Sequence, residues 1–335
     1  MKIFSNDTLR AIDRATIENE GVTSMELIER AGEAITNEII TRWRANKKVL
    51  VFAGPGNNGA DALVVSRMLI EQGFTPEIYL FNIGGNQLSK ECAECRNRLL
   101  EMGYGNLYEV VDYFSLPAIG AEYLVIDGLF GSGLKRPLEG GFKILVRYIN
   151  ESKATIVSID IPSGLNGDWN PMSVNRDIIH ANLTLAMQFP RLSFLFKENA
   201  ELVGEWKVLD IGLSAEAIRS SHSDFYLVEK SDIRQTIHQR QPFASKADCG
   251  SALLVAGSYG MMGAAVLCAH GALRSGVGKV TVHSPRWGFN VIQSAVPEAL
   301  FNADSHDVVS TNILPTHNYS AMAVGPGIGA NDMTI

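Results

Sequence analysis

The stretch Lys48–Met68, KVLVFAGPGNNGADALVVSRM, restricts most strongly what this chain can become. An apolar run, Val49–Ala53, breaks into Gly54-Pro55-Gly56-Asn57-Asn58-Gly59 and resumes with helical spacing through Leu63, Val64 and Met68. A strand, a glycine turn and a helix start leave several backbone N–H groups unpaired and converging on one spot. Glycines at 54, 56 and 59 are expected to let a ligand approach the backbone, because no Cβ stands in the way. Asn57, Asn58 and Asp61 add side-chain donors and acceptors at the same mouth. The stretch reads as a seat for something phosphorylated. The plainer alternative is a tight strand–helix turn that binds nothing. It is not a Walker loop, since no Gly-Lys-Ser/Thr follows, and no acid clearly ends a second strand as a ribose partner, Glu77 being near.

At 335 residues the chain is long for one domain and comfortable for two. Hydrophobic residues make up 46% and charged residues 19%, enough for a substantial core. A net charge of −7, with no basic cluster interleaved with aromatics, argues against a nucleic-acid surface. The opening MKIFSNDTLRAIDRA lacks the apolar segment of a secretory signal, and no run approaches the ~18 apolar residues of a membrane span. The four cysteines and these absences lead to the expectation of a cytoplasmic protein with no membrane partner. Cys92 and Cys95 fall on one face of a helical segment with no second pair to complete a zinc site, so they read as structural.

Residues 1–46 read as helical, with Asn6 or Asp7 capping a first helix and Ser24 a second. Candidate strands follow at Val49–Ala53, Glu77–Phe81, Tyr123–Asp127, Thr155–Asp160, Leu183–Met187 and Trp206–Asp210, with helices at Asp61–Gln72, Ser89–Met102 and Gly141–Asn150. Near-continuous apolar strands alternating with helices indicate a parallel sheet covered on both faces, a Rossmann-like three-layer α/β domain complete by Leu213. Residues 214–245 are polar and mixed, and read as a linker plus a short extra element. Residues 246–335 begin a second α/β unit ending in Gly325-Pro326-Gly327-Ile328-Gly329, which reads as an incomplete sheet.

Ligands of open parallel sheets sit beyond the carboxyl ends of the strands. Besides Asn57–Asp61, two strand ends stand out. One is Asp127-Gly128-Leu129-Phe130-Gly131-Ser132-Gly133-Leu134-Lys135-Arg136-Pro137, whose N–H groups and Lys-Arg pair suit a pyrophosphate or 2′-phosphate. The other is Asp160-Ile161-Pro162-Ser163-Gly164. Strand-end carboxylates gathered in one mouth suggest acid–base work; alone, each could equally cap a helix or hold structural water.

GPGNNGAD, DGLFGSGLKRPLEG and SIDIPSGLNGD, in this order, resemble the NAD(P)HX epimerase domain over about residues 1–213, with LTLAMQFPRLSFLF and VGEWKVLDIGL similar to its closing strands. AGSYGMMGAAVLCAHGALRSGVGKVTV and AVGPGIG resemble the start of an ADP/ATP-dependent NAD(P)HX dehydratase, a ribokinase-like domain. The order is that of the bifunctional repair enzymes. The resemblance implies epimerisation at C6 of hydrated NADH and NADPH, followed by nucleotide-driven removal of water from the S form. It implies that Asn57, Asn58, Gly59, Ala60 and Asp61, with Gly131, Ser132, Gly133, Leu134, Lys135, Arg136 and Pro137, hold NADHX or NADPHX. Asp160 would bind substrate and act as base, and Gly327 would contact substrate in the second unit. Asn58, Asp127 and Ser163 would hold potassium, while Mg2+ and ADP or ATP belong to an intact dehydratase. Homo-oligomers are expected of such domains.

Two departures matter. Ala60 and Ala62 stand where the family usually has glycine, which is harmless inside a helix and harmful if a phosphate needs the backbone. The dehydratase's later Gly-rich block with its catalytic Asp does not occur before Ile335, so dehydration is not expected of this chain, and a fragment is favoured over a decayed domain. A non-catalytic dimerisation or dinucleotide-binding scaffold is the alternative from another class; a small-molecule kinase and an ordinary dehydrogenase fit less well.

Overall fold

The structure is a computed structural model that describes residues 1–134, 136–169, 177–237, 239–312 and 316–334. It divides into two compact units, Met1–Glu229 and Lys230–Ile335.

In the first unit β1 (Lys2–Ile3) leads into α1 (Asn6–Glu20) and α2 (Ser24–Arg42). The alternating part follows: β2 (Lys48–Ala53), α3 (Asn57–Glu71), β3 (Glu77–Phe81), α4 (Lys90–Glu101), β4 (Leu107–Val110), β5 (Tyr123–Gly128), α5 (Gly140–Glu151) and β6 (Thr155–Ile159). The unit closes with β7 (Leu183–Met187), α6 (Ala200–Val203), β8 (Glu205–Leu209), α7 (Ala215–Ser220) and β9 (Phe225–Tyr226). Among the described residues, seven of these strands form one parallel sheet in the order β4-β3-β2-β5-β6-β7-β8. Val49, Val51, Leu124, Ile126 and Val157 feed one core with α2, α3 and α4; Leu50, Phe52, Val125 and Ile156 feed the other with α5. The Rossmann-like three-layer architecture is thus present.

The helix starts differ from expectation. Ser5 caps α1, its side chain accepting from the Thr8 N–H, and Thr23 caps α2 in a reciprocal box with Glu26. Asn6 and Ser24 instead occupy first helical positions, because the residue before each offers a hydroxyl at extended backbone geometry. Asn57–Asp61 is not a loop but the first turn of α3, with the Ala60 N–H already bonded to the Gly56 carbonyl at 3.0 Å.

Part of 214–245 packs on the first unit. Ala217 of α7 is buried with Phe4, Leu9 and Ile12, β9 pairs antiparallel with β1, and the Lys2 ammonium donates to the carbonyls of Ile218, Arg219 and Ser221.

The second unit holds α8 (Lys230–Thr236), β10 (Ser251–Val255), α9 (Met262–Ser275), β11 (Lys279–Ser284), α10 (Phe289–Ala295), β12 (Leu300–Ala303) and β13 (Ala321–Val324). Its described strands form a parallel sheet in the order β12-β11-β10-β13, the ribokinase-like α/β unit expected. Gly327 lies here, its carbonyl accepting from the Ser258 hydroxyl at 2.7 Å.

Candidate functional site

A cleft of about 940 Å3 opens in the first unit at the carboxyl ends of the central strands. The β2–α3 turn (Pro55, Gly56, Asn57, Asn58, Asp61), the segment after β5 (Leu129–Leu134) and Asp160 after β6 form three of its walls. The rest was not anticipated: Leu9, Arg10, Asp13, Arg14 and Ile17 of α1, Leu27, Ile28 and Ala31 of α2, and Arg191 after β7.

The glycines of the turn do separate jobs. A Cβ on Gly54 would lie 1.8 Å from the Leu129 carbonyl oxygen, and one on Gly59 would lie 1.7 Å from the Gly54 carbonyl oxygen. Both positions are therefore closed by the protein's own backbone rather than kept open for a ligand. Only Gly56 faces open space, with no heavy atom within 4 Å of its would-be Cβ, and it lines the cleft. Ala60 and Ala62 are fully buried inside α3, and neither they nor Gly59 line the cleft, so alanine there is accommodated by the helix.

Asn58 lines the cleft at 8% exposure, and both its Oδ1 and its Nδ2 lack a partner among the described residues. A buried primary amide without partners costs about 1–3 kcal/mol per orphaned group. Such a group marks a place that a polar ligand completes. Gly131 passes close to the same side chain, its would-be Cβ 3.2 Å from Asn58 Oδ1.

Asp127 is fully enclosed. Its Oδ2 accepts from Ser158 Oγ at 2.8 Å and the Ser163 N–H at 2.9 Å, and its Oδ1 accepts from Ser163 Oγ at 2.5 Å. Burial pushes this carboxyl up, and these donors work against that push. Ser163 Oγ also accepts from the Phe130 N–H at 2.9 Å, tying the ends of β5 and β6 together. Asn58, Asp127 and Ser163 with the Phe130 carbonyl offer amide, carboxylate, hydroxyl and carbonyl oxygens, the donor chemistry that suits a large monovalent cation. The fit is strongest at Asn58 Oδ1, which no other described residue engages; the Asp127 oxygens already serve protein donors.

Asp160 sits at φ 64, in the left-handed region that a side chain other than glycine seldom adopts, and the described residue sharing that departure, Gln188 at φ 60, follows the neighbouring strand β7. Carboxamide and carboxylate residues tolerate this region best, and such local strain gathers at functional sites. Asp160 is 3% exposed and is ion-paired and hydrogen-bonded to Arg191, which is 5% exposed. Two further carboxyls crowd this end of the cleft. Burial, reinforced by the charges of Asp160 and Asp13, pushes Asp61 well above the usual carboxylate range. Burial also lifts Asp13 to about 6, with Arg191 opposing and Asp160 reinforcing.

Of the other residues singled out from sequence, Gly131, Ser132, Gly133 and Leu134 line the cleft, and Arg10 Nη2 donates to the Ser132 carbonyl at 3.4 Å. Arg136 and Pro137 are exposed and outside its walls, and Lys135 lies outside the described residues. Cys92 and Cys95 are buried, with burial pushing both thiols up to about 12, far from a reactive thiolate.

Fold and cleft together define an α/β protein with a polar-lined cleft at the carboxyl edge of a parallel sheet. Residues 24–193 match the family profile described as YjeF-related protein N-terminus, and residues 252–335 match one described as NAD(P)H-hydrate dehydratase. The chain belongs to the YjeF-related family. It is 29% identical over 98% of its length to a bifunctional NAD(P)H-hydrate repair enzyme of Coxiella burnetii, and 31% identical over its whole length to one of Thermofilum pendens. It spans 65% and 64% of the length of those two relatives. A NAD(P)H-hydrate epimerase of Limosilactobacillus fermentum is 28% identical over 60% of this chain and 93% of that protein. The crystal structure of the yeast protein ynu0 superposes with a TM-score of 0.56 at 21% identity, covering 69% of this chain and 98% of that one, a likeness of fold. No described helix is long and apolar enough to cross a membrane.

Proposed function

We propose that the first unit interconverts the C6 epimers of hydrated NADH and NADPH, and that the second unit belongs to the nucleotide-dependent dehydration of the same damaged cofactors. The observation that carries this reading is the convergence of Asn58, Asp61, Gly131–Leu134 and Asp160 on one cleft, in a chain related along its length to bifunctional NAD(P)H-hydrate repair enzymes. The start of α3 and the Gly131–Leu134 backbone, with Arg10 and Arg14 nearby, favour the diphosphate of a dinucleotide. The buried end, with Asp160, Asp61 and Asp13, is left for the hydrated nicotinamide.

Proton traffic divides between two carboxyls held in unlike surroundings. Asp61, whose carboxyl burial pushes well above the usual carboxylate range, is assigned the role of acid, and Asp160, held by Arg191, that of base. Asn58, Asp127 and Ser163 are assigned a potassium ion, whose contribution when bound is a fixed positive charge among these oxygens. Mg2+ with ADP or ATP is assigned to the second unit, and a homo-oligomer in the cytoplasm to the protein as a whole.

The test gives the purified chain a single NADHX epimer in potassium and then in sodium buffer, with the epimers resolved by chromatography. Potassium-favoured interconversion that disappears in a folded Asp160→Asn variant is the expected result. A well-folded parent chain that leaves the epimer ratio at the buffer rate overturns the proposal.

A further inference from the structure

Arg191 is engaged on one side only. Its Nη2 serves Asp160, while Nε and Nη1 are buried with no hydrogen-bond partner among the described residues. Guanidinium donors are seldom left this way, because each buried N–H without an acceptor forfeits its hydration for nothing. Arg191 lines the cleft together with Asn58, whose amide is likewise without partners. Two buried side chains in one cleft thus hold polar atoms that the described residues do not satisfy.

The surrounding charge says what could satisfy them. Asp160 already balances the guanidinium, Asp13 from α1 interacts with both Arg191 and Asp160, and Asp61 from α3 lies close enough to feel Asp160 and Asp13. A phosphate placed here would sit against the Asp160 carboxyl, with Asp13 and Asp61 close by, whereas a neutral carbonyl oxygen can accept from Nε and Nη1 without bringing a further negative charge to that cluster. Arg10 and Arg14, on the α1 wall of the same cleft, are better placed for the anionic part of a ligand.

We infer that Arg191 is a specificity and positioning residue: it fixes Asp160 in place through Nη2 and presents Nε and Nη1 to a neutral oxygen of the ligand, such as the carboxamide oxygen of a reduced nicotinamide. The inference rests on the epimerase reading for the identity of the ligand, but not for the existence of the unpaired donors. Lysine can keep the charge beside Asp160, yet it cannot reproduce a planar fork with donors on three nitrogens.

The experiment compares the full parent chain with R191K and R191Q, folding being checked by thermal melting. NADPH affinity is measured by fluorescence titration, and kcat and KM by epimerisation of NADHX. In R191K the fold holds, NADPH affinity falls by about tenfold and KM rises in step, the size of a lost charged hydrogen bond. In R191Q kcat also falls, by about a hundredfold, because Asp160 loses its anchor, and R191K recovers most of that loss. Should R191Q not fold, R191K decides alone. R191K with affinity and KM within about twofold of the parent overturns the inference while leaving the epimerase reading in place. A parent chain that binds NADPH without turning over NADHX, with R191K still binding more weakly, upholds the inference and overturns that reading. A parent chain that neither binds nor turns over overturns both.

Discussion

Asn58 has two demands on it that pull in opposite directions. Burying both of its polar atoms without partners lowers the stability of the free protein, and that cost persists only if a ligand recovers it. Asn58→Ala is therefore expected to melt no lower than the parent without ligand, and about 1 kcal/mol more stable if the site collapses, while NADPH affinity drops about tenfold. A clear loss of stability with unchanged affinity would show the amide to be structural. Asp13 makes a different prediction, through pH. Its carboxyl is raised to about 6 from 3.8, so the folded chain holds that proton more tightly than the unfolded one. Its favourable contribution is complete below about pH 4 and is lost as pH rises through about 6. Asp13→Asn should therefore melt above the parent at pH 8, with the gap closing near pH 4; an equal gap at both pH values counts against this. Asp127 and Asp160 could be read from the sequence because each ends an apolar strand, where a charge has no business unless it is used. Arg191 meets a related criterion, a cation just past the strand Leu183–Met187, yet the proline before it and the apolar residues after it masked it. Asp13 gave almost no signal, since a carboxylate on a charged helix looks solvated until the sheet that buries it is in place.

The element that organises the cleft is the β2–α3 turn, and its three glycines, alike in sequence, are unlike in space. Gly54 and Gly59 are required by backbone contact, so Gly59→Ala is expected to cost about 3 kcal/mol or more in urea denaturation. Gly56→Ala, with open space at its Cβ, should stay within about 1 kcal/mol of the parent and weaken ligand binding instead. Equal costs at the two positions would contradict this division. Sequence spacing alone cannot make the distinction, because the contact partners, Leu129 and Gly54 itself, are set by how strand, turn and helix pack. Strand β4 escaped sequence reading for a related reason. It lies at the sheet edge with Tyr108 and Glu109 exposed, so it lacks the apolar run that marked its inner neighbours.

At the scale of the whole molecule, the parallel sheet was legible because strands buried on both faces leave long apolar runs. The extent of the first unit was not, because α7 and β9 are short, lie in a mostly polar stretch and are held by partners far away in the chain. Residues 214–229 contribute Ala217 to a core, pair with β1 and receive the Lys2 ammonium. A chain cut after Glu229 should accordingly melt at least about 4 °C above one cut after Leu213, equivalent to roughly 1–2 kcal/mol in a unit of this size. Identical melting would mean that this extension merely rests on the surface.

The same pairing has a bearing on how the protein is made. Lys2 and Ile3 find their partners in Tyr226 and Phe225, and the Met1 amine meets the Leu227 carbonyl across 226 positions of sequence. At translation rates of roughly 5–20 residues per second, the segment leading into α1 waits on the order of ten seconds or more for its mate to leave the ribosome. Throughout that interval the wall carrying Arg10, Asp13 and Arg14 lacks its anchor. The nascent chain can close its sheet early, yet it gains a finished binding cleft only when its first residues meet its two-hundred-and-twenties.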